Sequence, residues 1–303
     1  MYRKERTFMN CYRHELKNKI IDKKPNDKAF MGYTHALSGV AVAIALIAFL
    51  PEFLGQILMT TSIWVFIQFL FATTGAAMLP DLDNSKSRAK SDLGPFGIIL
   101  SGFFRVSSAI IQTTIRTKRD DPEPNPHRGF WHTIPASLLL GFLVYLGTRM
   151  GGEINIPILG LITWGTLFAL LITFTLMHLT LSTLAKEFMD KVKKSNATGE
   201  IIAIAISLIL SIILFVNLPT DIDFWWLGVS VAFGMFVHIL GDLNTTAGVA
   251  IGFPLTAITH GKFWWTFRLT KMKAGGAAEK MLIVPILTVI IIVSFVKIAI
   301  GLF

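Results

Sequence analysis

The sequence is poor in charge for a soluble protein. Asp, Glu, Lys and Arg make up 16% of its 303 residues, whereas soluble domains usually carry about 25%. It has a single cysteine, Cys11, which excludes a disulfide framework and a cysteine-rich zinc site. Apolar residues make up 53% of the chain and are gathered into long runs. This composition predicts a polytopic membrane protein with one membrane domain rather than two soluble ones.

Several apolar runs approach the roughly 20 residues that a membrane-spanning helix needs. They cover residues 35–51, 57–79, 132–149, 157–184, 200–218, 224–242 and 281–302, which makes about seven spans. Helices are favoured over barrel strands because the runs are continuous rather than alternating. We therefore predict an all-α polytopic membrane helix bundle over residues 31–303. Residues 1–30 are basic and have no apolar run, so we expect a cytoplasmic extension there rather than a secretory signal.

The basic residues predict the orientation of these helices. With the N-terminus in the cytoplasm, the loops on the cytoplasmic side hold 26 of the 28 Lys and Arg residues; these loops are 1–34, 81–131, 185–199 and 243–280. Such an excess marks the cytoplasmic side, so we predict an N-in and C-out topology. Anchoring to anionic membrane lipids then explains the net charge of +9, and we expect no direct binding of nucleic acid.

Residues 95–115 are the segment that could overturn this topology, because they are long enough to span. Arg105 lies at the centre of the segment, and Ser and Thr residues interrupt the apolar run. An arginine at the centre of a span costs about 3 kcal/mol or more. We therefore predict an amphipathic helix that lies in the membrane interface.

Strong metal-binding side chains lie at the ends of the apolar runs. His238 and Asp242 are four residues apart, so both project from one face of a helix, where a histidine and a carboxylate can bind one metal ion. The other donors at predicted helix ends are His35, Asp81, Asp83, His127 and His132. The charge-derived topology places all of them at the cytoplasmic face. Because that topology was derived without them, their convergence predicts a metal site.

Each of these donors alone has an ordinary structural explanation, such as an interface histidine or a turn cap after Pro80. As a set, they exceed the four ligands of a structural zinc, and carboxylates can bridge two ions. A mixed His and Asp set without a thiol suits zinc first, with manganese or iron as alternatives, as one ion or two.

Other polar and aromatic residues receive structural roles. His178 lies inside the fourth run, where we expect a hydrogen-bonded packing role rather than a ligand role. For Trp131, Trp264 and Trp265 we predict positions at the membrane interface rather than in a substrate site.

The motifs around the donors resemble the YdjM-like family of inner-membrane-associated, LexA-binding, metal-dependent hydrolases. The matching pieces are Thr34-His35, Leu79-Pro-Asp-Leu-Asp83, His127-Arg-Gly-Phe-Trp-His132 and His238-Ile-Leu-Gly-Asp-Leu-Asn-Thr-Thr-Ala-Gly248. The resemblance covers roughly residues 31–270, and its motifs are specific when taken together. The chain departs from the family pattern at Trp131, Thr133 and Asn84, where the family usually has Thr, Ser and His.

The resemblance implies a hydrolase of the inner membrane with its active site on the cytoplasmic side. The expected metal ligands are His35, Asp81, Asp83, His132, His238 and Asp242. His127 is expected to act as a ligand or proton donor. Arg128 and Arg268 could neutralise a phosphate or an oxyanion, or equally anchor lipid head groups. The basic surroundings and a distant likeness to zinc-dependent phospholipase C favour a phosphoester, such as a phospholipid, as substrate.

Two other functions stay open at this point. The chain could be a membrane scaffold or regulatory protein with a structural metal, and the LexA-binding description then points to a protein partner. Transport is the third function, but transporters place ionisable groups near the middle of the bilayer. Here the donors gather at helix ends. An exchangeable water at the site would favour the enzyme, and closed coordination the scaffold.

Overall fold

The protein is an all-α polytopic membrane helix bundle, as predicted. The computed structural model describes residues 31–50, 62–84, 87–120, 128–156, 160–191, 196–218, 223–270, 272–273 and 276–301. The predicted basic extension 1–30 and the candidate donor His127 lie outside the described residues.

Helices make up most of the described chain. The α-helices are α1 Met31–Phe49, α2 Ile63–Ala76, α3 Arg88–Asp92, α4 Gly94–Thr114, α5 Ile134–Thr148, α6 Trp164–Lys191, α7 Asn196–Val216, α8 Trp225–Leu243, α9 Thr256–His260 and α10 Val284–Gly301. Two 3-10 turns, Pro80–Asp83 and Phe130–His132, follow α2 and precede α5, and a π-helical turn, Glu279–Ile283, leads into α10.

Six helices within the described residues are long and apolar enough to cross a membrane. They are Gly32–Phe49, Ile63–Asp83, Phe96–Thr114, Trp164–Ala185, Trp225–Leu243 and Glu279–Ile300. Five of these coincide with predicted spans. The predicted third and fifth spans are also helical, but their apolar helices, Ile134–Thr148 and Ile201–Val216, are shorter.

The predicted start of the fourth span is wrong. Residues 160–163, which we placed in that helix, form strand β2 (Gly160–Thr163), which pairs antiparallel with β1 (Glu153–Ile156). Ile162 and Thr163 of this segment are β-branched and favour extended backbone. The helix therefore begins at Trp164, whose backbone N–H donates to the Gly152 carbonyl oxygen.

Helix α8 lies at the centre of the bundle and packs on α1, α2 and α5. It can do so because small residues let the backbones approach closely, which is how membrane helices associate. A Cβ atom on Gly234 would lie 2.4 Å from the Thr73 carbonyl oxygen of α2, and one on Gly228 would lie 2.6 Å from the Gly141 carbonyl oxygen of α5. The C-terminal end of α8, with His238 and Asp242, is thereby surrounded by neighbouring helix ends.

The residues on either side of the segment 84–131 lie next to each other at one end of the bundle, since Asp83 Oδ2 lies 3.3 Å from His132 Nδ1. Helix α4, which occupies most of this segment, packs chiefly on α3 and on the two 3-10 turns. Its middle contacts the second turn, because the Trp131 indole donates to the Phe104 carbonyl oxygen (3.0 Å). The length and composition of α4 would allow it to cross a membrane, so its interfacial position stays a prediction.

We expect cysteines at Ser91 and Lys118, on either side of α4, to be labelled from the same side of the membrane. The reason is that Asp83 and His132, which flank the segment 84–131, contact each other. The measurement is labelling with an impermeant maleimide in vesicles of both orientations, in a background where Cys11 is replaced by serine.

A cysteine at Glu153, in β1 at the opposite end of α5, is the matched control. It should be labelled only in vesicles of the other orientation. Labelling of the Ser91 and Lys118 positions from opposite sides would show that α4 crosses the membrane.

Candidate metal centre

Four helix ends bring six of the predicted donors together. His35 lies in the first turn of α1, Asp81 and Asp83 in the 3-10 turn after α2, His132 in the 3-10 turn before α5, and His238 and Asp242 in the last turns of α8. Five of the six are almost completely buried, and only the Asp81 side chain, at 21% exposure, reaches solvent. We call these six residues the donor ring.

Three donor atoms form a triangle with the spacing of ligands on one metal ion. His132 Nε2 and His238 Nε2 are 3.2 Å apart, and each lies 3.5 Å from Asp242 Oδ2. Two ligands bound tetrahedrally at about 2.0–2.1 Å are about 3.3 Å from each other. The donor chemistry and the spacing therefore both fit a divalent metal.

The ring nitrogens of both histidines are oriented by contacts on their far sides. His238 Nδ1 donates to the Ala77 carbonyl oxygen (2.8 Å), and His132 Nδ1 faces Asp83 Oδ2. In neutral rings this leaves Nε2 of both residues as an acceptor directed into the triangle. Two acceptor lone pairs that face each other at 3.2 Å repel each other unless a metal ion or a proton lies between them. Outer contacts of this kind are typical of metal-binding histidines.

His35 and Asp81 both lie next to this triangle. His35 stacks on the His238 ring with centroids 3.8 Å apart, and its Nε2 lies 3.6 Å from Asp242 Oδ1. Asp81 Oδ1 lies 3.8 Å from His238 Nε2. His35 Nε2 and Asp242 Oδ2 are buried and make no hydrogen bond with described residues, although buried polar atoms normally have partners. Both atoms are thus available to an ion.

Arg128 contacts a donor directly. Its Nη2 lies 3.2 Å from Asp242 Oδ1, and its Nη1 donates to the Thr245 hydroxyl and the Gly248 carbonyl oxygen. Arg128 has a positive φ of 63°, which is uncommon for a residue other than glycine. This backbone turn directs the guanidinium back to the end of α8. Arg128 is therefore paired with a ligand carboxylate, whereas the sequence suggested a role on substrate phosphate or lipid.

The net charge of the donor ring and Arg128 matches that of one divalent cation with the opposite sign. Three carboxylates and one guanidinium sum to −2 when the histidines are neutral. Buried charges are costly unless they are compensated. An ion of charge +2 would balance the set.

The remaining predicted catalytic residue is not brought to the donor ring. Arg268 is exposed and its Nη1 donates to the Thr246 carbonyl oxygen (3.0 Å). His178 has the predicted packing role, because its Nε2 contacts the Asp92 carbonyl oxygen (2.8 Å) in a buried position. Trp131, which was predicted at the membrane interface, is 3% exposed and packs against α4, so it is a packing residue rather than a lipid-facing anchor.

Asp120 is a buried carboxylate that the sequence did not single out, because Thr117-Lys-Arg-Asp resembles a solvated loop. Its oxygens accept hydrogen bonds from the backbone N–H groups of Thr117, Phe263 and Trp264. Burial raises the pKa of Asp120, but these N–H groups outweigh that effect, so its pKa lies below the ordinary value. Asp120 thereby joins the end of α4 to the segment that follows α9.

Comparison with known families places the chain in a membrane context. The family model described as YdjM inner membrane protein matches residues 30–186. No curated protein and no solved structure matches the chain. The matched residues include the donors from His35 to His132. His238 and Asp242 lie outside the matched range, and their contacts with His132 and His35 bring them into the donor ring.

We expect Gly129→Ala to lower the melting temperature. The added Cβ would lie 1.6 Å from Gln112 Nε2 and 2.5 Å from Ser108 Oγ. The Gln112 amide must therefore rotate away, and the Ser108 hydroxyl, which accepts a hydrogen bond from the Phe130 N–H, must shift. Overpacking of this kind costs about 1–3 kcal/mol, or several degrees in melting temperature for a chain of this size. Thermal unfolding in detergent measures the effect.

Gly102→Ala is the matched control. Gly102 lies in α4, the helix that carries Gln112 and Ser108, and no atom lies within 4 Å of the added Cβ. Alanine is the better helix former by about 1 kcal/mol, so this change should leave the melting temperature unchanged or raise it. An equal loss in both variants would contradict the close packing of α4 on Gly129.

Asp120→Asn should destabilise the protein in a pH-dependent manner. Because the pKa of Asp120 is lowered in the folded state, its stabilisation is fully present above the ordinary carboxylate pKa of about 3.9 and is lost as the pH falls through the folded value. The difference in melting temperature between the native protein and this variant should therefore shrink as the pH is lowered from about 5 towards 3.

Asp223→Asn provides the comparison, since Asp223 pairs with Arg149 at the exposed opposite end of the bundle. Exposed pairs contribute about 0–1 kcal/mol, so the melting temperature should change little. A difference for Asp120→Asn that stays constant over this pH range would rule out the stabilising role of the Asp120 carboxylate.

Proposed function

Since the chain belongs to the YdjM inner membrane protein family, we propose that it is a metal-dependent hydrolase of the inner membrane whose catalytic centre is the donor ring. The observation that carries this proposal is the triangle of His132 Nε2, His238 Nε2 and Asp242 Oδ2, with sides of 3.2, 3.5 and 3.5 Å. Asp81 is the fourth ligand, His35 lies within reach of a further position, and Asp83 orients His132.

The partial exposure of Asp81 supports catalysis over a purely structural role. A structural site is closed on all sides, whereas a catalytic site keeps a position for water or substrate. Asp81 is the one donor with a solvent-exposed side chain, at 21%, so water can reach the ring from this side. In the N-in topology this side faces the cytoplasm.

The proposed ion is a single divalent metal, with zinc first and manganese or iron as alternatives for a His and Asp set. Arg128 contacts Asp242 Oδ1, and this positive charge disfavours a second cation bound to the same oxygen. When bound, the ion would act as a Lewis acid and lower the pKa of a coordinated water to about 7.

The proposed reaction is hydrolysis of a phosphoester. A water oxygen forms the new bond to phosphorus, the bond from phosphorus to the alcohol oxygen breaks, and the alcohol leaves with a proton. The chain's own part is to hold the ligands, to keep them dry by burial and to fix the Asp242 carboxylate with Arg128. The basic residues of the cytoplasmic loops suit a substrate with negative charge.

A metal-stabilised scaffold is the second candidate, and one observation favours it. The donor ring joins the ends of four helices, so an ion bound there would also hold the bundle together. The transport function has less support, because the donors lie at helix ends rather than near the middle of the bilayer.

We expect His238→Ala and Asp242→Ala to lower metal affinity by more than about tenfold, since even outer-shell changes cost 10–100-fold. Metal content after purification, measured by elemental analysis, checks this. The control is His260→Ala, which removes an exposed histidine that stacks on Trp265 outside the ring. Full occupancy in the first two variants would falsify the metal site.

Chelation separates the two candidate functions. For the hydrolase, removing the metal abolishes cleavage of a chromogenic phosphodiester, and adding zinc or manganese restores it. For the scaffold, removing the metal lowers the melting temperature while no cleavage is seen at any metal content.

A further inference from the structure

A cleft of about 250 Å³ adjoins the donor ring at His35. Its walls come from α1, from α8 and from the π-helical turn with the first residues of α10. The volume exceeds the roughly 150 Å³ of a dry cavity that binds benzene and lies just below the 300 Å³ or so at which small-molecule sites begin. The cleft can therefore hold part of a ligand whose remainder lies outside it.

The polarity of the cleft changes along its length. At the end next to the donor ring the cleft is lined by Thr34, Asn244 and Lys273. The buried Glu279 also lines this end and already interacts with another residue. Farther from the donor ring it is lined by apolar residues, namely Val42 and Leu287. A ligand that fits this gradient has a polar head and an apolar tail.

The apolar end of the cleft points into the membrane. His35 and Val42 are seven residues apart on α1, which is about 10 Å along the helix axis. Along α10, Leu287 follows the π-helical turn and so lies farther from the donor ring than Glu279 does. A tail in the cleft would thus run towards the middle of the bilayer, as the tails of leaflet lipids do.

The third wall of the cleft is lipid-exposed. Just 6% of the Glu279–Ile300 span is buried, and α10 packs chiefly on α1. A molecule in the leaflet can approach the cleft from this side without crossing the central helices. The apolar end of the cleft offers water few hydrogen-bond partners, which favours an alkyl chain over water as its occupant there.

We propose that this cleft binds the alkyl chain of an anionic, single-chain amphiphile, whose phosphoester head group lies at the donor ring. The proposal rests on the hydrolase function above and names its substrate class. Lys273 lies at the polar end and provides positive charge for the head group. Val42 lies at the apolar end, so its side chain limits how far the tail can enter.

The test is photolabelling in nanodiscs with dodecyl phosphate that carries a diazirine at the end of its chain, followed by mass spectrometry of the labelled residues. Labels are expected on Val42 or Leu287. Val42→Trp should reduce this labelling about tenfold or more, because excluding two methylene groups already changes binding by about that factor. Val289→Trp, on the lipid-exposed face of α10, is the matched control and should retain it.

Turnover gives a second measure that depends on chain length. In Val42→Trp, the ratio of the cleavage rates of dodecyl p-nitrophenyl phosphate and methyl p-nitrophenyl phosphate should fall about tenfold. Val289→Trp should keep the native ratio and the native metal content. Labels confined to the outer surface of α10, or equal labelling in both tryptophan variants, overturn the proposal.

The labelling and turnover results can fail independently. Specific labels in the cleft without metal-dependent cleavage of either ester would refute the hydrolase function while the chain-binding site stands. Cleavage of both esters with unchanged chain-length preference in Val42→Trp would refute the chain-binding site while the hydrolase function stands.

Discussion

The two oxygens of Asp242 are where the separate parts of this bundle meet. Oδ2 faces His132 and His238, while Oδ1 faces His35 and Arg128. A carboxylate that is 1% exposed is costly unless compensating groups surround it. Four parts of the chain must therefore lie close together around this carboxylate: the starts of α1 and α5, the end of α8 and the turn at Arg128. The position of each of these elements is constrained by the others.

The central position of α8 makes this convergence possible. Lipid provides no hydrophobic force between helices, so close packing through small residues has to hold them. Gly228 and Gly234 bring α8 against α5 and α2, which are the helices adjoining the turns with His132 and Asp83. The chemistry at the end of α8 thus depends on contacts one to three turns away along the same helix.

Much of this arrangement could be predicted from the sequence. Charge counting and apolar runs predicted the helices, and the spacing of His238 and Asp242 predicted that both would face one point. Neither signal could reveal Arg128 as the partner of Asp242, because that contact depends on a positive φ and on a turn far away in sequence. The Ala77 carbonyl that orients His238 could not be predicted either, since every residue has one. The hairpin before α6 was missed because its residues are as apolar as those of a helix.

The order of the donors along the chain has a consequence for biogenesis. His35 is made first and Asp242 last, with four membrane-associated helices synthesised between α2 and α8. During co-translational insertion the earlier donors emerge without their partner carboxylate, so the full ligand set exists only after α8 has entered the membrane. Capture of the proposed metal would then be a late event in maturation, and a chain truncated before α8 would carry His35, Asp81 and His132 without His238 and Asp242.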